Sequence, residues 1–189
     1  MIARIYPDTV LYDPFCGSGT ILIEAALMAK NQAPGLNRKF LGEELPFIGK
    51  KAFSDARSEA LNQIIKNPEF KAIGFDIDPE CVALTKENAR KAGVENLVDA
   101  FVQDVRDLKL PEGRMKVITN PPYGERLLDI KHAEELYKIM GSVLPKEKGK
   151  GYFIISPQDN FEELFNRTAD KKRKLYNGML KCDVYQFFK

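Results

Sequence analysis

One histidine, three cysteines and no long apolar run are what this sequence has least of, and each scarcity removes a class of function. The cysteines, Cys16, Cys81 and Cys182, are odd in number and far apart, with no Cys-x-x-Cys pair. Neither a disulfide framework nor a zinc site is expected, and no other metal. Nucleophilic catalysis through a Cys–His or Ser–His pair would have to use His132, which sits in a polar helical stretch with no recognisable partner. It reads as a solvated surface residue. No apolar stretch approaches the roughly 20 residues needed to cross a bilayer. The first residues, Met1 to Pro7, hold no run long enough for a secretory signal. The expectation is a cytoplasmic protein without a membrane partner. Net charge is only +2, so global charge does not announce a nucleic-acid binder. The bias is local: Lys146, Lys148 and Lys150 alternate, and residues 171–174 are an unbroken basic run. Such runs are usually solvated surface, and track phosphates only where other features bring nucleic acid to them.

What is present suits one domain: 189 residues with an ordinary 44% hydrophobic share, enough for a full core. Apolar runs alternate with helical patterns, which argues for a parallel sheet with crossover helices. The spacing predicts strands over 9–12, 72–75, 98–102, 116–119 and 151–155, and helices over 20–29, 52–66, 79–92 and 131–143. Asp78 is a good N-cap, with Pro79 in the first turn, where no amide donor is needed. Residues 31–50 are richer in proline and glycine and make a long connection, of a kind that is often functional. At the end, 172–176 and 180–187 read as two strands around Asn177-Gly178, an antiparallel finish to the sheet.

Four points along this pattern carry chemistry. The first strand ends at Asp13, and Gly17 and Gly19 open a turn into a helix. Glycines let a backbone approach a ligand, and helix N-terminal amides attract negative groups. The segment is neither the Gly-x-Gly-x-x-Gly dinucleotide pattern nor a phosphate loop ending in Gly-Lys-Ser/Thr. Asp76, at the end of the second strand, can accept both hydroxyls of a ribose. Asp104, after the third strand, can accept from an adenine amino group while the Val105 amide donates to the ring. Singly these are ordinary strand-end acids; on three consecutive strand ends they outline an adenosine-shaped site.

The fourth point is Asn120-Pro121-Pro122-Tyr123, at the end of the fourth strand. An amine conjugated to a base or an amide is a poor nucleophile because its lone pair is delocalised. Acceptors for the amine hydrogens help, and the Asn120 side-chain oxygen and the Pro121 main-chain oxygen are suited to this. The paired prolines stiffen the loop. Tyr123 offers a flat face on which a base taken out of its helix can stack. With a sulfonium methyl donor such as S-adenosylmethionine (SAM), alignment supplies much of the catalysis, and neither a metal nor a histidine base is needed.

These motifs together resemble class I SAM-dependent methyltransferases. More narrowly, the chain is similar to the THUMP-linked RNA methylases, which include the bacterial 23S rRNA guanine-N2 methyltransferases. The narrow markers are residues 33–40, beginning Ala-Pro-Gly-Leu-Asn-Arg, and Leu175-Tyr176-Asn177-Gly178; residues 13–26, 74–78 and 120–126 match more widely. The resemblance implies a Rossmann-like α/β fold, with a seven-stranded, mostly parallel sheet, its last strand antiparallel and helices on both faces. It implies SAM contacts at Asp13, Phe15, Gly17, Gly19, Asp76, Ile77, Asp104 and Val105, and catalysis at Asn120 through Tyr123. Arg38 and Arg126 are candidates for substrate or loop-positioning contacts, although surface salt bridges account for both equally well. The implied partner is RNA, large-subunit rRNA in particular.

Family members also carry an N-terminal RNA-binding THUMP region, and a helix before the first strand that helps close the methionine end of the SAM pocket. Only a dozen residues precede Asp13 here. Residues 1–189 are therefore expected to be a single catalytic domain without the RNA-binding region, with weak SAM affinity and little RNA affinity of their own. The four site residues would serve adenine N6 of DNA, or the N5 amide of a protein glutamine, by the same chemistry. A non-catalytic SAM-fold module that scaffolds RNA is a further alternative. The sequence leaves the oligomeric state open.

Overall fold

The computed structural model describes residues 2–45, 47, 49–124 and 127–188. Seven strands form one sheet: β1 (Val10–Asp13), β2 (Lys71–Asp76), β3 (Val98–Val102), β4 (Met115–Thr119), β5 (Lys150–Ser156), β6 (Lys171–Asn177) and β7 (Leu180–Phe187). Their spatial order is β3-β2-β1-β4-β5-β7-β6. All neighbouring pairs from β3 to β5 are parallel, and β7 is antiparallel to both β5 and β6. The expected antiparallel finish is present. The order reverses between β1 and β4, so the carboxyl ends of these two strands flank the crevice where open α/β sheets bind ligands.

Among the described residues five α-helices accompany the sheet: α1 (Thr20–Ala29), α2 (Lys50–Asn62), α3 (Pro79–Ala92), α4 (Leu127–Val143) and α5 (Phe161–Leu164). Helices cover both faces of the sheet, which buries two separate cores. One face joins Leu11 and Ala72 to Leu22, Ala25 and Ala26 of α1 and Ala89 of α3. The other joins Tyr12, Val117 and Ile154 to Tyr137 and Met140 of α4 and Phe161 of α5. Leu11 and Tyr12 point into opposite cores because successive strand residues alternate faces. In α3 the Asp78 carboxylate accepts the Glu80 amide at 2.8 Å, the capping role expected of it, and Gly93 ends the helix with φ 68°.

Three differences from the sequence pattern have simple causes. α5 has only four residues, too few for a helical period to show. α4 begins at Leu127, ahead of the polar stretch from which periodicity is read. Lys150, expected on a solvated surface, is buried at the start of β5, where its ammonium pairs with Glu147 at 2.7 Å. Ion pairing is the usual condition for burying a lysine.

Gly19 shows how tightly the first turn is built. Its φ is 82°, and an added Cβ would lie 2.8 Å from Thr85 Cγ2. Thr85 is fully buried, with its hydroxyl donating to the Gly17 carbonyl at 2.8 Å, so it cannot yield. Gly19→Ala is expected to cost about 2 kcal/mol and to lower the unfolding midpoint by roughly 6 °C, as a thermal melt would read. An unchanged midpoint would show that the loop relaxes freely.

Candidate active site

The loop that follows β1 is pinned from below and from the side. Asp13 is 1% exposed; its Oδ1 accepts the Phe15 amide at 3.1 Å and the Thr119 hydroxyl at 2.6 Å, joining the ends of β1 and β4. Burial pushes the Asp13 carboxyl up to about 7, with the two hydrogen bonds opposing and the charge of Asp76 adding to the rise. The Cys16 amide donates to the Phe75 carbonyl at 2.9 Å, fastening the loop to β2. Asp76 then closes the arrangement. Its Oδ2 accepts the Gly17 amide at 3.0 Å and its Oδ1 accepts the Asp78 amide at 3.0 Å. Each carboxylate oxygen keeps a lone pair for a further donor, so two vicinal hydroxyls could still be received.

Asp104 follows β3. Its Oδ1 accepts the Arg106 amide and its Oδ2 the Arg106 guanidinium, both at 2.8 Å. The Arg106 amide hydrogen bond has the largest effect and, with the guanidinium, holds the Asp104 carboxyl below the ordinary range against the opposing effect of burial. Arg106 also reaches Glu135 of α4 at 3.8 Å. The sequence reading missed Arg106. Its signal is faint, a basic residue two positions beyond a strand-end acid, and its meaning depends on the fold that brings α4 alongside. Arg106→Ala is expected to weaken SAM binding about fivefold by freeing the Asp104 carboxylate. Isothermal titration of both forms would check this, and equal affinities would leave Arg106 a surface residue.

The loop after β4 stands opposite. Asn120 is exposed at the strand end and Pro121 is buried behind it. The Tyr137 hydroxyl, from α4, donates to the Pro122 carbonyl at 3.3 Å. The Tyr123 hydroxyl donates to the Asn120 side-chain oxygen. Burial pushes the Tyr123 phenol up to about 12, with the Asn177 side chain opposing the rise, so it stays protonated at neutral pH. Among the described residues no hydrogen bond is made to the Pro121 carbonyl.

These loops open into one cleft of about 440 Å³, within the range of cofactor sites. Phe15, Gly17, Asp76, Ile77, Asp104 and Val105 line one part; Asn120, Pro121, Pro122 and Tyr123 line the other. Ile77 is 69% exposed there, an apolar side chain available to a flat ring. His132 is exposed, as expected, but it too lines the cleft, together with Arg106. Asp13 lies beneath the loop, and Gly19 caps α1 behind it. Arg38 is not among the lining residues: it belongs to the α1–α2 connection, where its carbonyl accepts from Arg57 at 2.7 Å. Arg126 lies outside the described residues. A second groove, about 430 Å³, runs over β4, β5 and β7 beside α1, but its lining is almost wholly apolar and brings no polar groups together.

Residues 1–186 match the RMKL-like methyltransferase domain family. The chain belongs to that family. The protein YpsC of Bacillus subtilis (strain 168), named as a candidate RNA methyltransferase, is 41% identical over 182 residues, which are 96% of this chain and 47% of YpsC. The ribosomal RNA large subunit methyltransferase K/L of Shewanella sp. (strain W3-18-1) is 41% identical over 180 residues, 92% of this chain and 25% of that protein. The crystal structure of SMU.472, complexed with S-adenosylhomocysteine (SAH), superimposes with a TM-score of 0.93 at 42% identity, over 99% of this chain and 50% of that one. The chain spans half or less of the length of these three proteins. Its fold is the Rossmann-like methyltransferase fold, with the seven-stranded sheet implied by the resemblance.

Proposed function

We propose that this RMKL-like domain transfers the methyl group of SAM to an exocyclic amine of RNA, and that the target is guanine N2 of 23S large-subunit rRNA. The observation that carries the reading is that a single cleft is lined both by Asp76 and Asp104 and by Asn120 to Tyr123. A ligand with a ribose and an adenine, and a base carrying an amine, can therefore meet in one cavity.

The residues fit SAM. Asp76 keeps free lone pairs for the ribose hydroxyls, Asp104 and the Val105 amide suit the adenine edge, and Phe15 and Ile77 provide apolar walls. Gly17 and the buried Asp13 are suited to the methionine end. When bound, SAM supplies an electrophilic methyl group on a sulfonium. The chain's own part is to align the amine. The Asn120 oxygen and the Pro121 carbonyl accept its two hydrogens, which draws electron density back to the nitrogen and directs its lone pair. The Tyr123 ring, neutral throughout the working range, supplies a stacking face.

RNA is preferred over DNA or protein because two relatives at 41% identity carry RNA-methyltransferase names, one of them for the large ribosomal subunit. A ribosomal target also agrees with a cytoplasmic setting, and no described helix is long and apolar enough to cross a membrane. Transfer of label from methyl-tritiated SAM to 23S rRNA, duplex DNA and a release factor would separate the readings. Label in rRNA recovered as N2-methylguanosine is the expected result. Label in DNA or protein alone, or in none of the three at saturating SAM, would overturn it.

A further inference from the structure

The basic run 171–174 and the segment Leu175 to Gly178 have no task in the proposed reaction. Both lie on the β6–β7 hairpin, and strand register fixes where that hairpin stands. Thr119, the last residue of β4, is level with Ile154 of β5, then with Tyr185 of β7 and Lys172 of β6. β6 runs in the direction of β4, since β7 is antiparallel to both β5 and β6. Every residue of β6 after Lys172 therefore stands beyond the level at which β4 delivers Asn120. β5 stops at Ser156, opposite Asp183, so Leu180 to Cys182 overhang it. At about 3.4 Å per residue and 4.8 Å per strand, Tyr176 is about 14 Å past the end of β4 and about 15 Å to its side. The hairpin is a wall raised beside the loop that carries Asn120.

The chemistry of this wall is of one kind. Tyr176 pairs with Lys181, and Lys174 lies two residues before Tyr176, so the three side chains share one face. It is the face of Tyr185, over whose ring Lys172 lies at 5.5 Å, and not that of Leu175 and Val184, which line the apolar groove. Tyr176 is 66% exposed, and Met179 at the tip is fully exposed. Lys174 and Lys181 are exposed too, and among the described residues neither pairs with an acid; on this hairpin only Lys172 does, with Glu162. Residues 171–187 hold five basic residues against Asp183 alone, a larger surplus than the +2 of the whole chain. β6 is the edge of the sheet, and lysines on an edge deter pairing with another strand. That accounts for charge along β6. It does not account for Lys181 on β7, nor for a tyrosine and a methionine held in water where the hairpin overhangs the site. An exposed aromatic ring flanked by unpaired lysines suits single-stranded nucleic acid: the ring stacks on an unpaired base while the ammonium groups take phosphates.

We propose that the β6–β7 hairpin binds single-stranded RNA flanking the target nucleotide, with Tyr176 stacking on an unpaired base and Lys174 and Lys181 receiving phosphates. Tyr176 is about 20 Å from the end of β4, the length of about six stacked nucleotides at roughly 3.4 Å each. That this RNA is the methylated one rests on the function proposed above; that the hairpin binds RNA does not. A fluorescein-labelled single-stranded oligoribonucleotide, titrated with the full chain at low salt and followed by anisotropy, tests it. Tyr176→Leu should weaken binding about tenfold with its salt dependence unchanged. Lys174→Gln together with Lys181→Gln should also weaken it about tenfold, and should cut the slope of log affinity on log salt by roughly 1.4, the share of two phosphates of a single strand. Lys146→Gln with Lys148→Gln makes the same change of charge at the opposite end of the sheet, just before Lys150, which is level with the start of β4. That pair should leave affinity within about twofold. In methyl transfer, the hairpin variants should raise KM for 23S rRNA and leave kcat and SAM affinity within about twofold. No binding by the wild type, or equal losses from the hairpin and control pairs, would overturn the proposal. Hairpin-dependent binding by a chain that methylates no rRNA would remove the function and keep the surface; rRNA methylation with KM unmoved in the hairpin variants would do the reverse.

Discussion

Asn120→Ala should lower kcat for methyl transfer about 10²–10³-fold while SAM affinity stays within about twofold. The size follows from what the side chain does at the moment of reaction. A conjugated amine becomes nucleophilic only as its nitrogen pyramidalises and its hydrogens gain positive character. An acceptor already fixed in place is worth most at that point and little before it, so its loss falls on kcat and not on cofactor binding. The structure prepares the acceptor: Asn120 stands at the end of a parallel strand, Pro121 is buried beside it, and Tyr123 steadies its oxygen. One lone pair remains for the substrate, since a carbonyl oxygen accepts twice. Asn120→Asp should fall between wild type and Asn120→Ala, because a carboxylate still accepts but no longer presents the same neutral partner to Tyr123. Rates measured under single turnover, with SAM binding followed separately, would decide. A loss in SAM affinity that matches the loss in rate would move Asn120 out of the reaction and into the cofactor site.

How far this site could be read in advance depended on whether its signals were local. α3 and α1 fall where the pattern puts them, because a helix bounded by Gly93 or Gly19 announces its own limits. Asp76 and Asn120 were legible for a related reason: each ends a strand, and in a parallel sheet strand ends converge on one crevice. The residues that brace them were not. Arg106 matters through Asp104 and Glu135, and Tyr137 through the Pro122 carbonyl. The contacts of Glu135 and Tyr137 join elements whose approach is set by tertiary packing, and no periodicity encodes which side chains on α4 will face the loops after β3 and β4. Lys150 failed for the converse reason. Its neighbours Lys146 and Lys148 make it look solvated, and only the pairing with Glu147 allows its burial.

Asp13→Asn should make the chain more stable at pH 8 than the wild type, by up to about 4 kcal/mol, with the gap closing as the pH falls. The wild-type carboxyl has an ordinary value of 3.8 in the unfolded chain and about 7 when buried. Below 3.8 both states hold the proton, and the group contributes no pH dependence. Between 3.8 and about 7 the folded state keeps a proton that the unfolded state has released, so stability falls steadily with rising pH. Above about 7 both are ionised and the full burial penalty is in force. An asparagine side chain keeps an oxygen for the Phe15 amide and the Thr119 hydroxyl without carrying charge into the interior. Urea unfolding at pH 5 and pH 8 would show the wild type losing stability between the two and Asp13→Asn holding level; parallel curves would mean that Asp13 is solvated in the folded chain. The same substitution should weaken SAM binding, because the carboxylate lies under the loop that would face the positive methionine end. A buried acid that costs stability and is repaid only when a cation arrives is the trade expected of a binding site. Should stability rise with no loss of SAM affinity, Asp13 serves only to tie β1 to β4, and the methionine end must be held by the amides of the glycine loop.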